Sequence, residues 1–149
     1  MDTPYIPGQT AGDEKDESLL ASVPANLVQS IRAFRVGELQ EEAGRLGQHF
    51  LYAHCIAGAT KQQVLGIIAE SFQFPKGIGK NFDGLRATLT DTMLQASGEH
   101  TGFLVVLEQL PNTQKFDKEA RETLLDVFRD AADYWADKKV PFRVFYSFE

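Results

Sequence analysis

One cysteine, Cys55, stands among the 149 residues, so no intramolecular disulfide is possible and nothing asks for an oxidising compartment. His54 and Cys55 are adjacent on a predicted strand and point to opposite faces, so they cannot pair as base and nucleophile; Cys55 reads as a small core residue. Histidine is scarce too. None of His49, His54 and His100 has a metal-ligand spacing to another or to Cys55. No serine elbow occurs, and no apolar run approaches the roughly 18 residues of a membrane span. The opening MDTPYIPGQTAGDEKDES carries acids and prolines where an export signal needs a basic start and an apolar stretch. The expectation is a cytoplasmic protein with no metal, no cofactor and no membrane partner. Positive charge is also limited: 15 Lys and Arg face 21 Asp and Glu, a formal charge of −6. Residues 1–18 hold five of the acids against Lys15, which leaves the remainder close to balance. Direct nucleic-acid binding, which needs a basic face to displace counterions, is not expected.

What is present suits one packed domain: hydrophobic residues make up 43% and there are 11 Phe. Residues 1–18 lack apolar periodicity and read as a disordered acidic tail. Leu19, Leu20 and Val23 begin an apolar segment, Ala33–Val36 reads as a brief strand broken by Gly37, and Glu38–Leu46 reads as a helix stopped by Gly47. The run HFLYAHCI from His49 is a strand. Thr60 and Gln63 fit a capping box ahead of a helix with Val64, Leu65, Ile67, Ile68 and Phe72 inward. Pro75, Gly77 and Gly79 then mark a tight connection, and Asn81 is an N-cap. Phe82, Leu85, Leu89 and Met93 recur at helical spacing, which predicts a helix to Leu94 with Asp83, Arg86, Ala87 and Thr90 off its inner stripe. Gln95–Gly102 is a loop, and Phe103–Leu107 has the unbroken apolar character of a parallel strand covered on both faces. Residues 117–137 form the clearest helix. Leu124, Leu125, Phe128, Ala131, Ala132 and Trp135 make its inner face, with Glu119, Glu122, Asp126, Asp130, Asp133 and Asp137 opposite. PFRVFYSF closes the chain as a strand with Phe142, Val144, Tyr146 and Phe148 alternating against Arg143 and Ser147. Strands separated by helices predict right-handed parallel crossovers and an α/β fold.

Few constellations suggest chemistry. Gly77-Ile78-Gly79-Lys80 lacks the Gly and the Ser or Thr that a phosphate loop needs at the positions of Phe74 and Asn81, so it reads as a turn. Glu108 is the only carboxylate at a strand's C-terminal end, and it is isolated. No catalytic residues are assigned, and an enzyme is not expected. The acidic stripe on the last helix is either a solvated face or, if that helix packs beside the 81–94 helix, part of one surface on which Asp83 and Asp130 face a cationic partner.

Two blocks carry a family resemblance. The first is Pro75, Gly79, Asn81, Phe82, Asp83 and Leu85 in the spacing Pro-x-x-x-Gly-x-Asn-(aromatic or Leu)-Asp-x-Leu, continued by Leu89, Thr90 and Asp91. The second is LVVLEQ followed by LLDVFRDAADYWADKKVPFRVFY. In this order they resemble the barstar family of barnase-type ribonuclease inhibitors, from about His49 to Phe148. The resemblance implies a parallel sheet of three strands, or four, with helices packed on it. It divides residues 19–149 into an N-terminal extension at 19–46 and a core at 47–149. It also implies an intracellular inhibitor, monomeric when free, whose exposed loop and helix enter a ribonuclease active site with carboxylates in place of RNA phosphates. The partner would be a secreted-type ribonuclease or toxin. The implied contact residues are Gly77, Ile78, Gly79, Asn81, Asp83, Arg86, Ala87, Thr90 and Asp130. Among them Asp83 matches the family's first contact Asp, Gly79 its loop Gly, Thr90 a helix contact and Asp130 the acid on its last helix. Ala87 stands where the family usually has a second Asp, Arg86 where it often has Trp or Ala, and Gly77 and Ile78 where a loop aromatic is expected. The alternative is a diverged interaction or immunity protein with another partner.

Overall fold

The run FLVVLEQL forms β3 (Phe103–Leu110) at the interior of a parallel sheet, where every side chain from Phe103 to Leu107 is fully buried. In the computed structural model, which describes residues 19–91 and 101–149, β3 lies between β2 (His49–His54) and β4 (Phe142–Phe148), and β1 (Asn26–Ser30) pairs with the far side of β4. All these pairings are parallel. The period of two sends Phe103, Val105 and Leu107 to one face and Leu104 and Val106 to the other. A layer of helix must therefore cover each face.

The larger core receives α2 (Lys61–Ser71), α3 (Phe82–Leu89) and α4 (Lys118–Asp137) through Val64, Leu65, Ile68, Leu85, Leu89, Leu124, Phe128 and Trp135. The smaller core on the opposite face is α1 (Val36–Leu46), whose Leu39 and Ala43 pack with Leu20, Val23, Leu104, Val106 and Phe145. Gly47 and Thr60 end or begin their helices as expected, and Asp117, expected within the last helix, is its N-cap instead. Gly47 takes the left-handed conformation at φ +71° after α1, and the Asp117 side chain accepts from Ala120 N–H at 3.0 Å at the start of α4. Thr60 accepts from Gln63 N–H at 3.1 Å, while the Gln63 side chain reaches one residue further back than a strict box, to Ala59 N–H at 2.8 Å.

Three expectations are corrected. Ala33–Val36 is no strand: Phe34 N–H closes a turn on Ile31 C=O, Arg35 is the N-cap of α1 with its N–H donating to Glu38, and Gly37 lies within the first helical turn. The strand is Asn26–Ser30 instead, a half-exposed edge segment. It is held by pairing to β4 and by the Asn26 amide, which donates to Ala132 C=O at 3.1 Å and Val140 C=O at 2.9 Å. The helix after Asn81 ends at Leu89, with Thr90 as its cap and Asp91 N–H turning back to Thr88 C=O. The final strand is not one-sided either, because Phe145 fills the smaller core while Phe142 and Val144 fill the larger. Met93, Leu94, His100, most of the Gln95–Gly102 loop and the 1–18 tail lie outside the described residues.

Trp135 joins two elements of the larger core. Its indole Nε1–H donates to Leu89 C=O at 2.8 Å, satisfying a carbonyl at the end of α3 from inside α4. Trp135→Phe should therefore destabilise the protein by roughly 1–3 kcal/mol, the range for a buried acceptor left without its donor. A urea transition followed by circular dichroism checks this; an unmoved midpoint contradicts it.

Alkaline pH gives a second expectation. Burial pushes the Cys55 thiol up to about 12. Burial, followed by the hydrogen bond and charge of Glu108, pushes the Tyr52 phenol up to about 12. In the unfolded chain these groups ionise near about 8.5 and 10, so the folded state holds their protons more tightly. Their contribution is complete below about pH 8.5 and is lost as pH rises towards 12. Stability should fall across that window, and Cys55→Ala should flatten the fall at its lower end; denaturant midpoints measured from pH 7 upward test both.

Candidate protein-binding surface

The connection from α2 to α3 is shaped by residues with unusual backbone. Gln73 leaves α2 at φ +61°, Phe74 N–H returns to Ala69 C=O, and Ile78 N–H closes a turn on Pro75 C=O at 3.1 Å. Gly77 and Gly79 sit at φ +83° and +80°, where a side chain would be strained. Gly79 is also buried: a Cβ there would meet the Phe74 ring at 3.6 Å and Ala69 at 3.8 Å. Its backbone lies against Gly84 in the first turn of α3, where an added Cβ would come 3.6 Å from Gly79. Loop and helix thus form one rigid feature. Ile78 at the loop tip is 41% exposed. With Gly77, Gly79 and Lys80 it faces Gln62, Gly66 and Ala69 of α2 across an open groove of about 400 Å³.

Helix α3 begins at Asn81, whose side chain accepts from Gly84 N–H at 2.6 Å. Asn81 is accordingly committed to the cap. Leu85 and Leu89 turn inward, which leaves Asp83 and Ala87 exposed and Arg86 partly so. The Asp83 side chain is 94% exposed. Thr90 has its hydroxyl turned back to Arg86 C=O at 2.9 Å, so it offers a methyl group more readily than a donor.

Helix α4 packs beside α3 in the same core, and its stripe of Glu119, Glu122, Asp126, Asp130, Asp133 and Asp137 is exposed throughout. The meeting point is Arg86. Its Nη1 donates to Asp83 at 2.9 Å and its Nε to Asp130 at 3.0 Å, so one guanidinium joins carboxylates from both helices. The sequence expectation that Asp83 and Asp130 share one patch agrees with this geometry. What sequence reasoning missed is the cation between them. The three-residue spacing of Asp83 and Arg86 was a readable signal for half of the bridge. The other half needed the packing of α3 on α4. The Gln62, Gly66 and Ala69 wall of the groove was missed also, since small residues on an outer helix face carry no periodic signal. Lys76 and Lys80 are exposed beside this patch, so the segment 75–91 has three cations against Asp83 and Asp91.

Glu108 lies away from this surface. Its carboxylate accepts from the Tyr52 hydroxyl on the α1 side of the sheet, and neighbouring His54 contacts the Gln109 side chain at 2.5 Å. Among the described residues no cluster of three or more His, Cys, Asp and Glu could hold a metal, and no helix is long and apolar enough to cross a membrane.

No curated protein matches this sequence. A family model described as Barstar (barnase inhibitor) matches residues 48–147, which take in β2 through nearly all of β4 together with the glycine turn, α3 and the Asp130 face of α4. With more than half of its length matched, the chain belongs to the barstar family.

Proposed function

We propose that this protein inhibits a barnase-type ribonuclease by seating the glycine turn, α3 and Asp130 in the enzyme's active-site cleft. The observation that carries the reading is Asp83, 94% exposed at the head of a helix whose orientation is fixed by a capped, glycine-locked turn and a buried Leu85–Leu89 stripe. A cleft that holds RNA phosphates must be cationic, and carboxylates presented on a preorganised surface substitute for those phosphates at little ordering cost. In this arrangement Gly77 and Ile78 give the close-approaching edge, Gly79 packs the turn beneath them, Asn81 holds the helix start, and Asp83 and Asp130 meet the enzyme's cations with Arg86 between them. Ala87 and the Thr90 methyl make the flat contact along the helix. Residues 19–46 act as an extension that covers the reverse face of a 47–149 inhibitor body. The protein binds one to one as a monomer and performs no reaction.

One observation favours a second reading, a diverged interaction or immunity protein of the same scaffold with a different protein partner. Lys76, Lys80 and Arg86 bring positive charge to the same surface and Ala87 brings none, so a strongly cationic cleft meets like charges at the rim.

Inhibition of RNA cleavage by a purified barnase-type ribonuclease separates the two. Saturation at one inhibitor per enzyme, with association slowing as salt is raised, is expected. Asp83→Ala should weaken binding by roughly tenfold, mainly through faster dissociation, as for a contact at the centre of an interface. Ala87→Asp should tighten it. Undiminished affinity in Asp83→Ala removes the site assignment; absence of inhibition by both the native protein and Ala87→Asp favours the second reading.

A further inference from the structure

Resting on the surface proposed above, we infer that Arg86 is a specificity residue: an internal stand-in for a partner's cation, holding Asp83 and Asp130 until a more strongly cationic surface displaces it. The geometry has two parts. The guanidinium donates through Nη1 to Asp83 and through Nε to Asp130, at 2.9 and 3.0 Å. All three groups are nevertheless open to solvent, with side-chain exposures of 38% for Arg86, 94% for Asp83 and 55% for Asp130. A partner's Arg or Lys can therefore reach the same carboxylates, and it finds one of their two charges already offset by the guanidinium.

Arg86 is not needed to dock the two helices. Leu85 and Leu89 are fully buried against the α4 side of the core, and Trp135 Nε1 is bonded to Leu89 C=O at 2.8 Å. An ion pair between exposed groups adds little to such packing, so its main effect falls on binding. The surrounding charges point the same way. Lys76 and Lys80 lie on the adjoining turn, and on α4 the neighbouring Asp126 is itself paired with Arg129 at 2.7 Å. At its centre the surface carries little net charge, although its most exposed member is an acid. A guanidinium that forks across two carboxylates is also harder to displace than an ammonium would be, because each bond is charge-assisted and the planar fork is preorganised. Weakly basic proteins are thereby refused, and only a dense cluster of cations gains access.

Arg86→Gln keeps most of the stem and removes the charge. Two probes read it, each against the native protein at low salt: a tetra-arginine peptide followed by backbone amide shifts at positions 83 and 130, and inhibition of a barnase-type ribonuclease. The peptide should bind Arg86→Gln at those positions about fivefold more tightly, the scale of losing two exposed ion pairs. The gain should disappear when Asp83→Asn and Asp130→Asn are added. Equal or weaker peptide binding by Arg86→Gln, or a gain that survives in the triple variant, overturns the inference. So does a loss of ribonuclease inhibition in Arg86→Gln, which would make Arg86 a direct contact. If no form inhibits the ribonuclease, the inhibitor reading fails and the peptide comparison still decides the role of Arg86. An unchanged melting temperature for Arg86→Gln is expected throughout, and a drop of several degrees would give Arg86 a structural role instead.

Discussion

A helix of eight residues is too short to persist alone in water, so the exposed face of α3 exists only because its other face is captured. The capture is the burial of Leu85 and Leu89 together with the hydrogen bond from Trp135 Nε1 to Leu89 C=O. At the other end the Asn81 cap and the positive-φ glycines at 77 and 79 fix where the chain enters the helix. Both ends being held, Asp83, Arg86 and Ala87 have defined directions although no side chain covers them. A surface held in this way would lose little conformational freedom on association, and much of its rigidity comes from the buried Leu85, Leu89 and Trp135 beneath it.

The electrostatics of that surface act on a different scale from its packing. Burial of a large apolar side chain contributes about 1.5–3 kcal/mol, whereas an exposed ion pair contributes roughly 0–1 kcal/mol. The bridge from Arg86 to Asp83 and Asp130 is therefore nearly neutral for folding. Its larger effect is on the field outside the molecule, since the one guanidinium offsets one of the two carboxylate charges. Charges here can change with little loss to the scaffold.

Much of the fold was legible because most elements announce themselves locally. Helix α4 shows twenty residues with apolar and acidic faces in register, and β3 shows an unbroken apolar run that only a doubly covered strand tolerates. The N-caps at Thr60 and Asn81 were visible because the capping side chain and its target are close in sequence. The failures share a cause. NLVQS has two apolar residues and no alternation to display, and it is a strand because β4 offers it an edge and the Asn26 amide has two carbonyls to bond. Ala33–Val36 looks extended, yet Glu38 takes the Arg35 N–H and the helix begins earlier. At the candidate site, exposure of Asp83 followed from helical phase, while the link from Arg86 to Asp130 joins residues 44 apart and depends on how two helices pack.

The N-terminal elements influence the α3–α4 surface without touching it. Strand β1 stands at the sheet edge and α1 lies on the reverse face, on the far side of the sheet from α3. The Asn26 amide nevertheless bonds Ala132 C=O within α4 and Val140 C=O just beyond it. Ala132 is two residues from Asp130, so the bond that fixes β1 also fixes the backbone beneath the acid of α4. Arg143 adds a second tie, donating to Pro24 C=O at 3.0 Å and to Val23 C=O at 3.3 Å from within β4. Segments before residue 48 and after residue 130 are thereby pinned to each other across more than 100 positions of chain. The position of Asp130 relative to Arg86 is thus set from two directions: by the Trp135 and leucine contacts on the α3 side, and by the edge strand on the other.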